Sequence, residues 1–232
     1  MFYWWNPYYL LFMAPALLLM LWAQWRVSSA YAKWGKVPNS NGLRGADVAE
    51  RLLREQGLGG INIQGVPGEL TDNYDPRRKV LNLSQGTATQ PSVAAMAIVA
   101  HEVGHAQQDA QNFLLLNLRS GIVPVVNIGS RLGPILFIIG WLLQLQPLLW
   151  LGILAFAGAF VFALITLPVE LNASQRAMKM LTTSNLIVGG SDRQGARTVL
   201  SAAAWTYVAG LLMALMQLLY YVSLAAGSRR RS

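Results

Sequence analysis

The chain has 232 residues, of which 54% are hydrophobic and only 12% charged, whereas a soluble domain carries about 25% charged residues. That balance excludes an ordinary soluble globule and marks the long apolar runs as membrane spans. Cysteine is absent, so disulfides and thiolate metal sites are excluded and any metal must be held by nitrogen and oxygen. The net charge of +8 does not point to nucleic acid, because the basic residues flank apolar segments, as topology-setting residues do.

From Tyr8 to Trp25 no residue is charged, and Arg26 closes the run. The segment lacks a basic leader and exceeds a signal-peptide core. Residues 1–26 therefore read as an uncleaved transmembrane anchor, with aromatic belts at Trp4, Trp5, Trp22 and Trp25. Residues 27–90 are polar and rich in turn formers, and read as a small mixed α/β region. "GADVAERLLREQGL" spaces Val48, Leu52 and Leu53 helically and stops at Gly57. Ile61 and Ile63 alternate with polar residues, and Val80, Leu81 and Leu83 follow a turn at "DNYDPR", which predicts two or three short strands.

Residues 91–118 return to a helical pattern, with Pro91 suited to its first position. Its middle carries Gln107, Gln108, Asp109, Gln111 and Asn112, too polar a run to face lipid. It belongs in the protein interior or at the membrane surface. Residues 119–168 read as a transmembrane hairpin broken at "QLQP". Residues 169–202 read as a solvent-side helix and loop turning at "GGSD", and 203–232 as a fourth span with a basic tail. The predicted fold class is mainly α, a polytopic membrane protein with about four transmembrane helices and a small mixed α/β insert.

The only two histidines are four residues apart, in "AHEVGHAQQ", where His101-Glu102-Val103-Gly104-His105 matches H-E-x-x-H. On a helix both imidazoles project from one face and can bind one Zn²⁺ at about 2.0–2.1 Å each. Glu102 then lies beside the open coordination position, where it can accept a proton from a water that zinc acidifies and pass it to a leaving amine. Gly104 is expected to leave room beside the metal for substrate backbone. The plain alternative is a pair of core histidines on a buried helix. A third ligand is required, and the extension H-E-x-x-H-x-x-G-x-x-H fails, because Gln108 and Gln111 stand where Gly and His belong. No histidine remains, so it must be a carboxylate, Asp109 or Glu170. Glu170 is favoured, because a residue eight positions from His101 lies about 12 Å along the helix axis.

"AHEVGHAQQ", preceded by "LTDNYDPRRKVLNLS" and followed by "LPVELNAS", resembles the YugP-like family of bacterial membrane zinc metallopeptidases, over nearly the whole chain. More distantly the layout is similar to the HtpX heat-shock proteases and the CAAX prenyl-protein proteases. The resemblance implies a gluzincin-like zinc site with one ion per chain, His101, His105 and Glu170 as ligands, and Glu102 as catalytic base. In the distant families an aspartate four residues after the ligand glutamate orients a histidine; here that position is Ser174, and Asn73 stands where the near family has histidine. In related enzymes an edge strand beside the zinc pairs with extended substrate, which makes Lys79, Val80, Leu81, Asn82 and Leu83 candidates for substrate binding. Tyr74, Asn172 and Arg176 are candidates for stabilising the oxyanion.

The expected function is integral membrane zinc endopeptidase, acting on a protein or peptide substrate with the bilayer as its other partner. Two alternatives are an intramembrane-cleaving protease, disfavoured by the polar run from Gln107 to Asn112, and a catalytically silent scaffold whose bases bind anionic lipid. Ten Lys and Arg lie between Arg26 and Arg119 and none precedes the first span. The positive-inside rule places the motif and Glu170 on the cytoplasmic side of a bacterial inner membrane. The triple arginine at 229–231 disagrees if 203–225 cross fully: either that last segment is re-entrant, or the bias of the long segment overrides the tail.

Overall fold

The computed structural model describes residues 7–228. Trp4 and Trp5 of the expected aromatic belt, and Arg229 to Arg231 of the basic tail, lie outside them. The elements are α1 (Pro7–Trp34), α2 (Gly45–Glu55), β1 (Asn62–Val66), β2 (Asn73–Asp75), β3 (Val80–Ser84), α3 (Gln85–Thr89), α4 (Val93–Ala110), α5 (Leu114–Leu142), α6 (Gln146–Thr183) and α7 (Gly190–Ser228). They form two compact units. Within the described residues, one comprises 7–22, 117–168 and 206–228, and the other 23–116 and 169–205.

The first unit is apolar outside as well as inside. Four helices are long and apolar enough to cross a membrane: Tyr8–Trp34, Leu114–Leu142, Gln146–Thr183 and Gly190–Gly227. Leu11, Leu18, Leu21, Ile128 and Leu154 are exposed on their surfaces, as side chains facing lipid would be. Helices α5 and α6 pack by close backbone approach. A Cβ on Gly152 would lie 2.5 Å from the Phe137 nitrogen, and one on Gly129 would lie 2.7 Å from the Ala155 oxygen. Small residues at such crossings gain dispersion contact where no hydrophobic drive exists between helices. A second cluster joins Phe137, Leu149 and Ile153 to Tyr220 and Tyr221, with the Phe137 and Tyr221 rings stacked at 4.4 Å.

The second unit has an ordinary core. Helix α4 is buried over Val93–Ala97, Val99, Ala100 and Val103–Ala106, and packs against Val48, Leu52 and Leu53 of α2, Leu81 and Leu83 of β3, and Ala177, Met180 and Leu181 of α6. The predicted helical face of α2 is the face that is buried, and Gly57 follows its end at φ +70°, the conformation its stop signal requires. The sheet has order β1-β3-β2. β3 runs parallel to β1 and antiparallel to β2, with Tyr74 opposite Leu81.

Several boundaries differ from the sequence reading, and α1 runs past residue 26 to Trp34. The helical pattern over 91–118 is broken. Ser92, not Pro91, caps α4 by accepting from Ala95 N–H, and the helix stops at Ala110, where Asn112 takes φ +52° and Phe113 N–H returns to the Gln108 carbonyl. Asparagine tolerates that left-handed conformation, which periodicity does not register. Helix α6 runs unbroken through Glu170 to Thr183, and "GGSD" opens α7 instead of making a turn between elements. Asp192 is buried there and accepts from Ser40 and Val188 N–H. Helix α7 is itself unbroken from Gly190 to Ser228, so the last segment does not form a re-entrant loop.

Gly104 also has a different task from the one expected. A Cβ there would sit 2.7 Å from the Ala173 carbonyl oxygen and 3.3 Å from its Cα, so this glycine admits the backbone of α6, not a substrate. Gly104→Ala should therefore destabilise the protein by about 1–3 kcal/mol through overpacking. Gly210→Ala, where nothing lies within 4 Å, should be neutral or slightly stabilising. Thermal unfolding in detergent measures both, and equal effects would mean that Gly104 does not set the crossing.

Candidate metal centre

Helix α4 presents His101 and His105 one turn apart on the face that meets α6, with their ring centroids 4.8 Å apart and edge to face. Helix α6 brings Glu170 between them. Its Oε2 lies 3.1 Å from His101 Nε2 and 3.3 Å from His105 Nε2, and the carboxylate is only 2% exposed. The ligand-type atoms of these three residues all lie within 4.8 Å of one another. Three atoms each about 2.0–2.1 Å from one tetrahedral ion would be spaced about 3.3 Å apart. The two histidine–carboxylate separations have that spacing, and two imidazoles with one carboxylate form a zinc donor set. The residues present fit the ion.

The far side of each ring is held as well. Gln108 is fully buried. Its Nε2 donates to the Val169 carbonyl and to Asn172 Oδ1, both at 2.9 Å. Its Oε1 therefore faces His105 Nδ1, at 2.9 Å, and accepts that nitrogen's proton. The tautomer is fixed, and the Nε2 lone pair points at the centre. Ser174 Oγ lies 3.2 Å from His101 Nδ1, so serine occupies the position where the distant families place an aspartate. The sequence marks Gln108 as part of the polar run and as a residue that breaks the longer histidine motif, and neither signal gives its task. Its burial, three positions beyond His105 on the same helix, is what reveals its task.

Glu102 is half-buried beside the triad, and its Oε2 accepts the Tyr74 backbone N–H at 2.9 Å. Burial pushes its carboxyl above the usual carboxylate range, and the neighbouring histidines and the Tyr74 N–H only partly offset this. Asp109, the rival third ligand, is engaged elsewhere. It accepts from the Tyr74 hydroxyl at 2.6 Å and is paired with Lys79 Nζ. The Tyr74 hydroxyl is raised above its ordinary range by burial and by the adjoining Asp109.

The other predicted site residues fall outside the triad. The Tyr74 hydroxyl is committed to Asp109, Asn172 Oδ1 accepts from Gln108 and Arg176, and Arg176 donates to Asn172, Gln107 and Gln111. None of the three reaches Glu170 or a ring nitrogen. The strand expected to offer a free edge, Lys79 to Leu83, is mostly β3, the central strand. Over residues 80–82 it is paired on both sides, so that stretch is not an open edge. Lys79 itself takes φ +53° at the turn into β3 and pairs with Asp109. The sequence could not order three short strands, because strand order depends on pairing and not on pattern.

Residues 9–226 match a protein family described as "Putative neutral zinc metallopeptidase". The chain belongs to this family. It is also 44% identical over 214 residues to the protein named "Putative membrane protease YugP" of Bacillus subtilis (strain 168), across 92% of this chain and 95% of that relative. No solved structure gives a significant match. The family and the four long apolar helices together make the chain a polytopic membrane protein, and the family's zinc agrees with the donor set of the triad.

Gln108 yields a test of the geometry. Gln108→Leu keeps the volume but leaves the His105 Nδ1 proton unbonded, and zinc affinity should fall by about 10–100-fold. Competition with a chelator measures it. Unchanged affinity would show that packing alone orients the ring.

Proposed function

We propose that this protein is an integral membrane zinc endopeptidase. The observation that carries the reading is the buried triad of His101, His105 and Glu170 with Glu102 at its side. Zinc held there would supply Lewis acidity toward a water molecule and a scissile carbonyl. The protein's own residues do the rest. Glu102 is anchored through Oε2 by Tyr74, which leaves Oε1 to take the proton of the attacking water. The same carboxyl then returns that proton to the departing amine, so that water is added across the C–N bond with no net change in the protein. Gln108 and Ser174 hold the two rings in register while this happens.

Glu102→Gln should keep about one zinc per chain and lose turnover by at least about a hundredfold, because an amide cannot accept the proton. Metal analysis and a cleavage assay on an unfolded protein substrate, run on the same detergent preparation, decide it. Activity within tenfold of the parent would remove Glu102 as the base. A parent that holds zinc but cleaves nothing would favour a silent scaffold.

Glu170→Ala should weaken zinc far more than Asp109→Ala, since Asp109 serves Tyr74 and Lys79 instead. The reverse ranking in chelator competition would contradict the assignment of Glu170.

The site is proposed to face the cytoplasm, on the strength of the ten Lys and Arg between Arg26 and Arg119. Single cysteines at the exposed positions Ser40 and Thr182 should resist a membrane-impermeant thiol reagent in intact cells. Labelling of both without lysis would put the site outside.

A further inference from the structure

A polar cavity of about 420 Å³ is lined by Gln56 at the C-terminal cap of α2, Gln107 and Gln111 around the end of α4, and Asn172, Arg176 and Lys179 of α6, among others. Its size is within the range of about 300–1,000 Å³ typical of ligand pockets. It lies behind the triad. Asn172 is on the Nδ1 side of His105, reached through Gln108, whereas the Nε2 of that ring points to Glu170.

The chemistry of this cavity is one-sided. Its walls hold amides and two cations, with Met180 and Thr183 beside them, and no carboxylate. Arg176 is half-buried and oriented by three bonds, all to amide oxygens: Nε to Asn172 at 2.7 Å, and Nη1 to Gln107 at 2.8 Å and Gln111 at 2.7 Å. Gln107 is fixed in turn by donating to Gln56 Oε1 at 2.8 Å. Three carboxylates on the surrounding elements are committed elsewhere. Glu55 pairs with Arg51 and Ser184, Asp109 with Tyr74 and Lys79, and Glu170 with the two histidines. Among the described residues Arg176 forms no ion pair, and its Nη2 makes none of these bonds. A guanidinium held in place by neutral acceptors, with one amino group unused, is preorganised for an oxyanion. The exposed ammonium of Lys179 adds to the field. Side-chain amides donate and accept at once, which suits peptide groups. A phosphate site would more often use backbone N–H groups at a helix N-terminus.

We propose that this cavity binds the free carboxylate end of a peptide, with the carboxylate on Arg176 and Lys179 and the last peptide groups on the surrounding amides. The choice of a peptide rests on the peptidase reading; the oxyanion subsite does not.

The test is calorimetric titration of the full chain in detergent, stripped of metal, with N-acetyl-trialanine and with the same peptide as its C-terminal amide. The acid should bind, and the amide should bind at least about tenfold more weakly. Arg176→Gln should lose at least as much. Lys179→Gln, on an exposed side chain whose neutralisation leaves the fold alone, should lose about threefold. Equal binding of acid and amide, indifference to both substitutions, or tighter binding of inorganic phosphate than of the acid overturns the proposal. Binding that returns only with added zinc would place the peptide at the triad and overturns it too. No hydrolysis is measured, so a parent protein that cleaves nothing would end the peptidase reading and leave this result standing.

Discussion

A carboxylate buried between two imidazoles governs the candidate site. Glu170 is 2% exposed, and a charge so placed is tolerable only with partners beside it, here two imidazoles with which it could share a cation. Those partners lie on another helix, so α4 and α6 must touch along the motif. Gly104 makes that contact possible, because its missing side chain lets the Ala173 carbonyl approach. The second helix must also keep its direction through this region. Pro168 lies just before Glu170 and α6 still continues without a break to Thr183. Helix packing and ligand geometry are thus one constraint seen from two sides.

The groups around the triad divide their work by face. Behind the rings, neutral groups fix orientation: Gln108 on His105 and Ser174 on His101. Gln108, a neutral acceptor, sets the tautomer of His105 without adding a negative charge to a buried site that already holds one. In front, the sheet acts through its shortest strand. β3 pairs with β2, β2 presents the Tyr74 N–H to Glu102, and the Tyr74 side chain is locked by Asp109, which Lys79 also holds. Asp109, a carboxylate the sequence offered as a third ligand, instead stiffens the strand that anchors the proposed base.

The two units cohere by different physics. In the second, apolar side chains leave water, and the core around α4 is the result. In the first, the long helices carry exposed leucines and isoleucines, so burial offers little and close contact at Gly129 and Gly152 takes its place. Prolines inside α1, α5 and α6 do not end those helices, as is common where neighbouring helices re-satisfy the freed carbonyls.

The sequence alone determined the features that depend on local pattern. Charge-free runs mark the spans, because a bilayer needs a fixed length of apolar helix. The spacing of Val48, Leu52 and Leu53 identified the buried face of α2, and the four-residue spacing of His101 and His105 put both rings on one side of α4. Axial reach favoured Glu170 over Asp109 before any contact was known. Tertiary structure decided everything that depends on what meets what across distance. It set the order of the strands, which turned the expected edge into the central strand, and it broke the helical pattern at Asn112, whose left-handed backbone no periodicity records. It gave Gly104 a helix to admit, made Gln108 the partner of His105 and left Arg176 without an ion pair among the described residues. Hydrogen-bond partners and close backbone approaches are pairwise facts between distant residues, and a linear pattern carries only the periodicity of each element by itself.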